Sequence, residues 1–128
     1  MKNLCQIDDI EVEIPQGIKR EVDEKGGFEL IKTSLPREDI ERLTELMGVL
    51  ADEKRLLILY ALSRQRMCVC MLADLTQSPY SKCSYHITRL KDKGIIEAQS
   101  QGNYIIYSLT SYGKNILNIL EKAKGVAE

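Results

Sequence analysis

Between residues 36 and 50 the apolar side chains Ile40, Leu43, Met47 and Leu50 fall three or four apart, the spacing that lines one face of a helix. Asp52 is a good N-cap, and the run Leu56 to Leu62 behind it is apolar on every side. This predicts a second helix over 52–63, buried and central. A third, short helix is predicted over 67–76. Ser78-Pro79 then marks the start of a fourth, with Ser as cap and Pro at the first helical position. That helix is predicted over 79–93. It stops at Gly94, with Lys91 and Lys93 in the last turn, where cations suit the negative end of the helix dipole. Two strand-like runs, 95–98 and 104–109, flank a polar stretch whose Gly102-Asn103 suits a tight turn, so a β-hairpin is expected. A last amphipathic helix from about Ser111 carries Tyr112, Ile116, Leu117, Ile119, Leu120 and Ala123, a stripe wider than one small domain needs. Ahead of all this, residues 9–15 alternate polar and apolar like a short strand or extended arm, and Gly26-Gly27 marks a joint. The expected division is an N-terminal arm over 1–35, partly flexible, and one domain over 36–128.

Two helices joined by a tight turn, the second polar on its outer face and followed at once by a hairpin, match a winged helix-turn-helix, which places its second helix in the major groove of DNA. The fold class expected is therefore mainly α with a small β-hairpin wing, acting as a dimer. On the fourth helix Cys83, Ile87 and Leu90 read as the apolar face. Tyr80, Ser81, Lys82, Ser84, Tyr85, His86, Thr88 and Arg89 read as the outer face: hydroxyls and Lys can donate to phosphates and to guanine acceptors, and tyrosines can pack on thymine methyls. Gln101 and Asn103 at the wing tip complete the expected DNA contacts.

Charge changes this picture little. The chain has 128 residues and a net charge of -1. Residues 1–41 hold 11 acidic and 6 basic side chains, and the other 87 hold 8 acidic and 12 basic, so a basic body follows an acidic leader. That balance permits contact with phosphates without announcing it. No apolar run approaches the ~20 residues of a membrane span, and the N-terminus lacks the apolar stretch of a signal peptide, so a cytoplasmic protein is expected.

The four cysteines carry the remaining chemistry. In a chain without an export signal they are expected to be thiols, metal ligands or redox groups, not a disulfide framework. Cys68 and Cys70 are two apart, so on a regular helix their side chains would diverge by about 200°. At a helix start the first residue need not be helical, and the two sulfurs can then converge. Cys83, three residues before His86, can be read as half of a metal pair or as a nucleophile beside its base, but its place with Ile87 and Leu90 favours a small core residue. His86 is the only histidine, and no carboxylate constellation surrounds it, so no enzyme is expected.

Three stretches taken together, Leu50-Ala51-Asp52-Glu53-Lys54-Arg55-Leu56-Leu57-Ile58-Leu59, Met67-Cys68-Val69-Cys70-Met71-Leu72 and Ser84-Tyr85-His86-Ile87-Thr88-Arg89-Leu90, closely resemble the ArsR/SmtB family of metal-sensing repressors. The resemblance spans roughly residues 38 to 124. Cys-Val-Cys followed sixteen residues later by the histidine of S-x-H-[LI]-x-x-L is its most specific part, and the long arm with an early cysteine is similar to CadC-like members. It implies a homodimer joined through the first and last helices, bound to double-stranded operator DNA and released when a thiophilic ion binds. Arsenite, antimonite, cadmium or lead would suit sulfur-only coordination. Cys68 and Cys70 are the expected metal ligands, with Cys5 of the arm as the third; the alternative is that Cys5 is an inert terminal residue. The sequence also departs from the family. Arsenic-sensing members usually carry a further cysteine where this chain has Ala73, Ser111 and Gly113 stand where some relatives have an Asp and a His of a second metal site, and the wing tip Gln99 to Asn103 is uncharged. The competing readings are a thiol-redox regulator using the same cysteines, a thiol-dependent enzyme, and a protein-binding module that has lost DNA.

Overall fold

The computed structural model describes residues 4–7 and 10–125, with side chains from residue 11 onward. Its contacts divide the chain into two units, residues 1–40 and 41–128. In the first, strands β1 (Leu4–Ile7) and β2 (Ile10–Glu13) form an antiparallel hairpin with Cys5 opposite Val12. Helices α1 (Gln16–Glu24) and α2 (Phe28–Ser34) follow, separated by Gly26 and Gly27, both at positive φ. The alternation expected over 9–15 is β2. The two helices went unread because α1 and α2 bury no residue, which leaves only a weak apolar signal.

Helix α3 (Arg37–Leu50) leads into the second unit. There α4 (Glu53–Arg64) lies at the centre, against α5 (Val69–Thr76), α6 (Tyr80–Asp92), the hairpin β3 (Ile96–Gln101) and β4 (Tyr104–Leu109), and α7 (Ser111–Lys124). Asp52 caps α4 as expected: its side chain accepts the Arg55 N–H at 3.1 Å, an interaction worth about 1 kcal/mol. Ile58 and Leu59 are fully buried, joined in one core by Leu72, Leu90 and Ile95, and each such side chain contributes roughly 1.5–3 kcal/mol through burial.

The turn between α5 and α6 differs in detail from the sequence expectation. Gln77 takes the left-handed conformation at φ 51°, and the amides of Gln77 and Ser78 close on Asp74 and Ala73 at 3.0 Å, ending α5. Pro79 stands at the cap of α6, so the helix begins one residue later than expected, and Ser78 Oγ donates to the Thr76 carbonyl (3.4 Å) without capping the helix. In the wing, β3 is longer than expected and Gln101 pairs with Tyr104 around Gly102-Asn103, where only Gly102 has positive φ. Gly113 lies where α7 crosses the start of β3. A Cβ there would stand 2.1 Å from the Ile95 carbonyl oxygen, so only glycine fits.

Two apolar faces remain uncovered. On α3, Leu43 and Met47 are exposed, Met47 by 62%. On α7, Ile116 and Leu117 enter the core while Tyr112 and Ile119 face outward, Ile119 by 65%. Among the described residues no helix is long and apolar enough to cross a membrane.

Candidate nucleic-acid interface and thiol pair

Helix α6 sorts its residues by the 100° turn of the helix. Cys83, Ile87 and Leu90 are buried as expected, and Tyr80, Ser81, Lys82, Tyr85 and Arg89 are exposed, with Ser84 half-buried. Lys82 Nζ sits 5.7 Å from the centre of the Tyr85 ring, so a cation and an aromatic face share one patch. Gln101 and Asn103 are exposed at the wing tip.

His86 does not belong to that patch. It is 3% exposed, and the expectation that it faces DNA is corrected by its place three residues after Cys83 and four before Leu90, on the inner side of α6. Its Nδ1 lies 2.9 Å from Nη1 of Arg55, itself a buried residue of α4. A guanidinium only donates, so Nδ1 accepts and the ring carries its proton on Nε2. Burial, with the Arg55 charge assisting against the pull of Asp52, holds the His86 pKa below the ordinary histidine range. The same guanidinium donates from Nε to the Val49 carbonyl and from Nη2 to that of Gly48 at 3.5 Å. One side chain thus ties the end of α3, the start of α4 and the middle of α6. Arg55 had no role assigned from sequence; the available signal was a cation, next to Lys54, directly ahead of the apolar run of a buried helix.

The thiols separate as their positions dictate. Cys83 is fully buried, and burial pushes its pKa up, outweighing a hydrogen bond with Thr76. It is a core residue, not a partner for His86. Cys68 is the N-cap of α5 with extended backbone (φ -86°, ψ 169°), and Cys70 is the second helical residue. Cys68 therefore stands outside the helix proper, as two sulfurs two residues apart require in order to converge, while its carbonyl accepts the Leu72 N–H at 3.3 Å and closes the first turn. Cys70 is exposed and Cys68 half-buried. A soft cation would find two sulfur donors here, so the pair fits a thiophilic ion as part of its ligand set. Among the described residues no cluster of three His, Cys, Asp or Glu donors is present. The Cys5 side chain lies outside the described residues.

The thiol pair adjoins the outer helix. Partial desolvation, then the Cys70 thiol beside it, then Cys68, raise the Tyr80 phenol pKa, and Tyr107 of β4 lies close by. Just before Cys68, Met67 exchanges both backbone hydrogen bonds with Tyr107, at 3.1 and 2.8 Å. The segment carrying the thiols therefore touches the first residue of α6 and the wing. Sequence reasoning missed this meeting because Tyr80, Cys70 and Tyr107 come together only through the turn and the hairpin.

Comparison with known proteins gives a consistent picture. The profile of the bacterial regulatory proteins of the arsR family matches residues 52–98. The arsenical resistance operon repressor of Bacillus subtilis is 36% identical over 71 residues, which cover 55% of this chain and 68% of that protein. The cadmium resistance transcriptional regulatory protein CadC of Listeria innocua is 29% identical over 91 residues, covering 70% of this chain and 75% of that one. Among solved structures, a homodimeric winged helix-turn-helix DNA-binding domain from Mycobacterium bovis superposes with a TM-score of 0.62 over 73% of this chain and 87% of its own, at 22% identity.

Proposed function

The chain belongs to the ArsR family of bacterial regulatory proteins, and from that premise we propose that it is a dimeric DNA-binding repressor released from its operator when Cys68 and Cys70 hold a thiophilic ion such as arsenite, antimonite, cadmium or lead. The observation that carries this reading is the placement of both thiols at the start of α5, Cys68 at the extended N-cap and Cys70 in the first turn, beside Tyr80 of α6. The names of the cadmium and arsenical resistance relatives support the ligand class. The bound ion would supply strong sulfur coordination. With Cys70 engaged by an ion, its contact with Tyr80 and through it the seating of α6 would change, and ligand affinity would become coupling against DNA, typically about 1–3 kcal/mol. Cys5 is the proposed third donor. The proposal is tested by operator release under a strong reductant that does not itself bind metal. Cadmium or arsenite should release the protein there; a response to oxidant alone would replace this reading with a thiol-redox switch.

Tyr80, Ser81, Lys82, Ser84, Tyr85 and Arg89, with Gln101 and Asn103, form the proposed DNA face. Replacing Lys82 by Ala should weaken operator binding and lower the slope of log K against log salt by about one per half-site, because one phosphate contact is lost. Fluorescence anisotropy across a salt series measures this. A slope equal to that of the parent protein would remove Lys82 from the DNA face.

The dimer is proposed to form through the uncovered faces of α3 and α7. Ile119→Glu places a carboxylate in the centre of that apolar face and should convert the dimer to monomer at micromolar concentration in sedimentation velocity. Operator affinity should fall with it, since each protomer reads one half-site. A variant that stays dimeric would place the interface elsewhere.

A further inference from the structure

Away from α5 and α6, a groove of about 740 Å³ lies between the end of α4, the base of the wing and α7. Its size is that of a small-molecule site. Leu62, Leu109 and Leu117, all nearly buried, contribute its apolar wall, and Arg64, Arg66 and Lys114 bring three cations to its rim against the single carboxylate of Glu97. Arg64 is engaged with the Tyr60 carbonyl (3.0 Å) and Ser63 Oγ (3.3 Å). Among the described residues no ion pair joins Arg66 or Lys114 to a carboxylate. Two cations without counterions over an apolar wall match an anionic head on an apolar body.

We propose that this groove binds a small organic anion, a carboxylate or phosphate ester carrying an apolar group, as a second input to the regulator. The lining selects against other occupants. A cation is repelled by the rim. A DNA duplex seated on the exposed side of α6 is met by residues of α6 and the wing tip, none of which lines the groove. The groove is also connected to the sensing segment, because Gln65 and Arg66 line it and the chain then passes through Met67, paired to Tyr107, into Cys68. An anion held by Arg66 would fix the residues that lead directly into the N-cap of α5.

The test uses the full chain without DNA or metal, so its outcome does not depend on the reading of the thiols. Amide shifts in two-dimensional NMR are followed while 1-naphthoate is added, with uncharged 1-naphthalenemethanol and inorganic phosphate as separate arms. Naphthoate should shift amides confined to residues 62–66, 97, 108–109 and 114–118. Arg66→Gln and Lys114→Gln should each weaken its binding about tenfold, the loss expected for one charge-assisted contact, and Lys91→Gln, off the groove, should not. Both variants change exposed side chains, and their unshifted core amides report intact folding. Shifts elsewhere, or affinity indifferent to both variants, overturn the proposal. Equal binding of the alcohol would reduce the site to apolar partition, and equal binding of phosphate would reduce it to an adventitious ion only; either result overturns it.

Discussion

Cys68→Ser and Cys70→Ser should each leave operator binding within a few-fold of the parent protein and abolish its release by cadmium or arsenite. A hydroxyl keeps nearly the shape of a thiol, so the cap of α5 and its packing survive, but it is a poor donor to soft ions. Coupling of about 1–3 kcal/mol, a shift of roughly 5–150-fold in operator affinity, should therefore collapse toward zero. Anisotropy titration of labelled operator, with and without the ion and under reductant, gives both affinities for each variant. Cys5→Ser separates two forms of the proposal: a third ligand would lower ion affinity when removed, and a bystander would change nothing. If the Cys68 and Cys70 variants release like the parent, the sensing site lies elsewhere. If they fail to bind operator without ion, the thiols belong to the DNA-binding structure and not to a switch.

Gly113→Ala should be the most destabilising single methyl addition in the second unit. The new Cβ would meet the Ile95 carbonyl oxygen at 2.1 Å and Ile95 Cγ2 at 3.3 Å, and that oxygen is backbone, so α7 or the start of the wing must move. Overpacking in a well-filled core usually costs about 1–3 kcal/mol, and a clash this short belongs at or above the upper end. For a unit of this size that corresponds to a fall in Tm of roughly 12 °C or more. Gly48→Ala is the matched contrast. It lies within α3 with nothing inside 4 Å of the added carbon, so alanine should be neutral or stabilising by up to about 1 kcal/mol. Thermal and urea unfolding of the two variants side by side measures the difference. Comparable stability of both would show that α7 shifts freely over β3. The same contact explains why a metal-binding histidine at position 113 has no room here.

Features written in local chemistry were legible in the sequence. The Asp52 cap, the buried α4, the stop at Gly94 and the hairpin each depend on residues a few positions apart, and the structure contains all of them. His86 was misplaced because its polar side chain reads as outward, although its spacing from Cys83 and Leu90 puts it on the inner face of α6. Its burial depends on Arg55, thirty-one residues earlier. The approach of Tyr80 to Cys70 was hidden for the same reason. The residues themselves were singled out, but their meeting is set by the left-handed Gln77 and the angle of the turn, which residue spacing does not encode.

The Arg55 guanidinium has a consequence for the history open to this sequence. Lysine is the closest exchange in charge, yet its single ammonium cannot reach Val49, Gly48 and His86 together, since those acceptors match the spread of a planar fork. Losing the fork would strand buried acceptors on two elements at once. Positions 55 and 86 are therefore bound to change as a pair, if at all. Exposed positions such as Ser81, Lys82 and Arg89 on the outer side of α6 carry no such obligation: on the proposed reading they can drift toward a new operator one by one while the tie between Arg55 and His86 stays fixed.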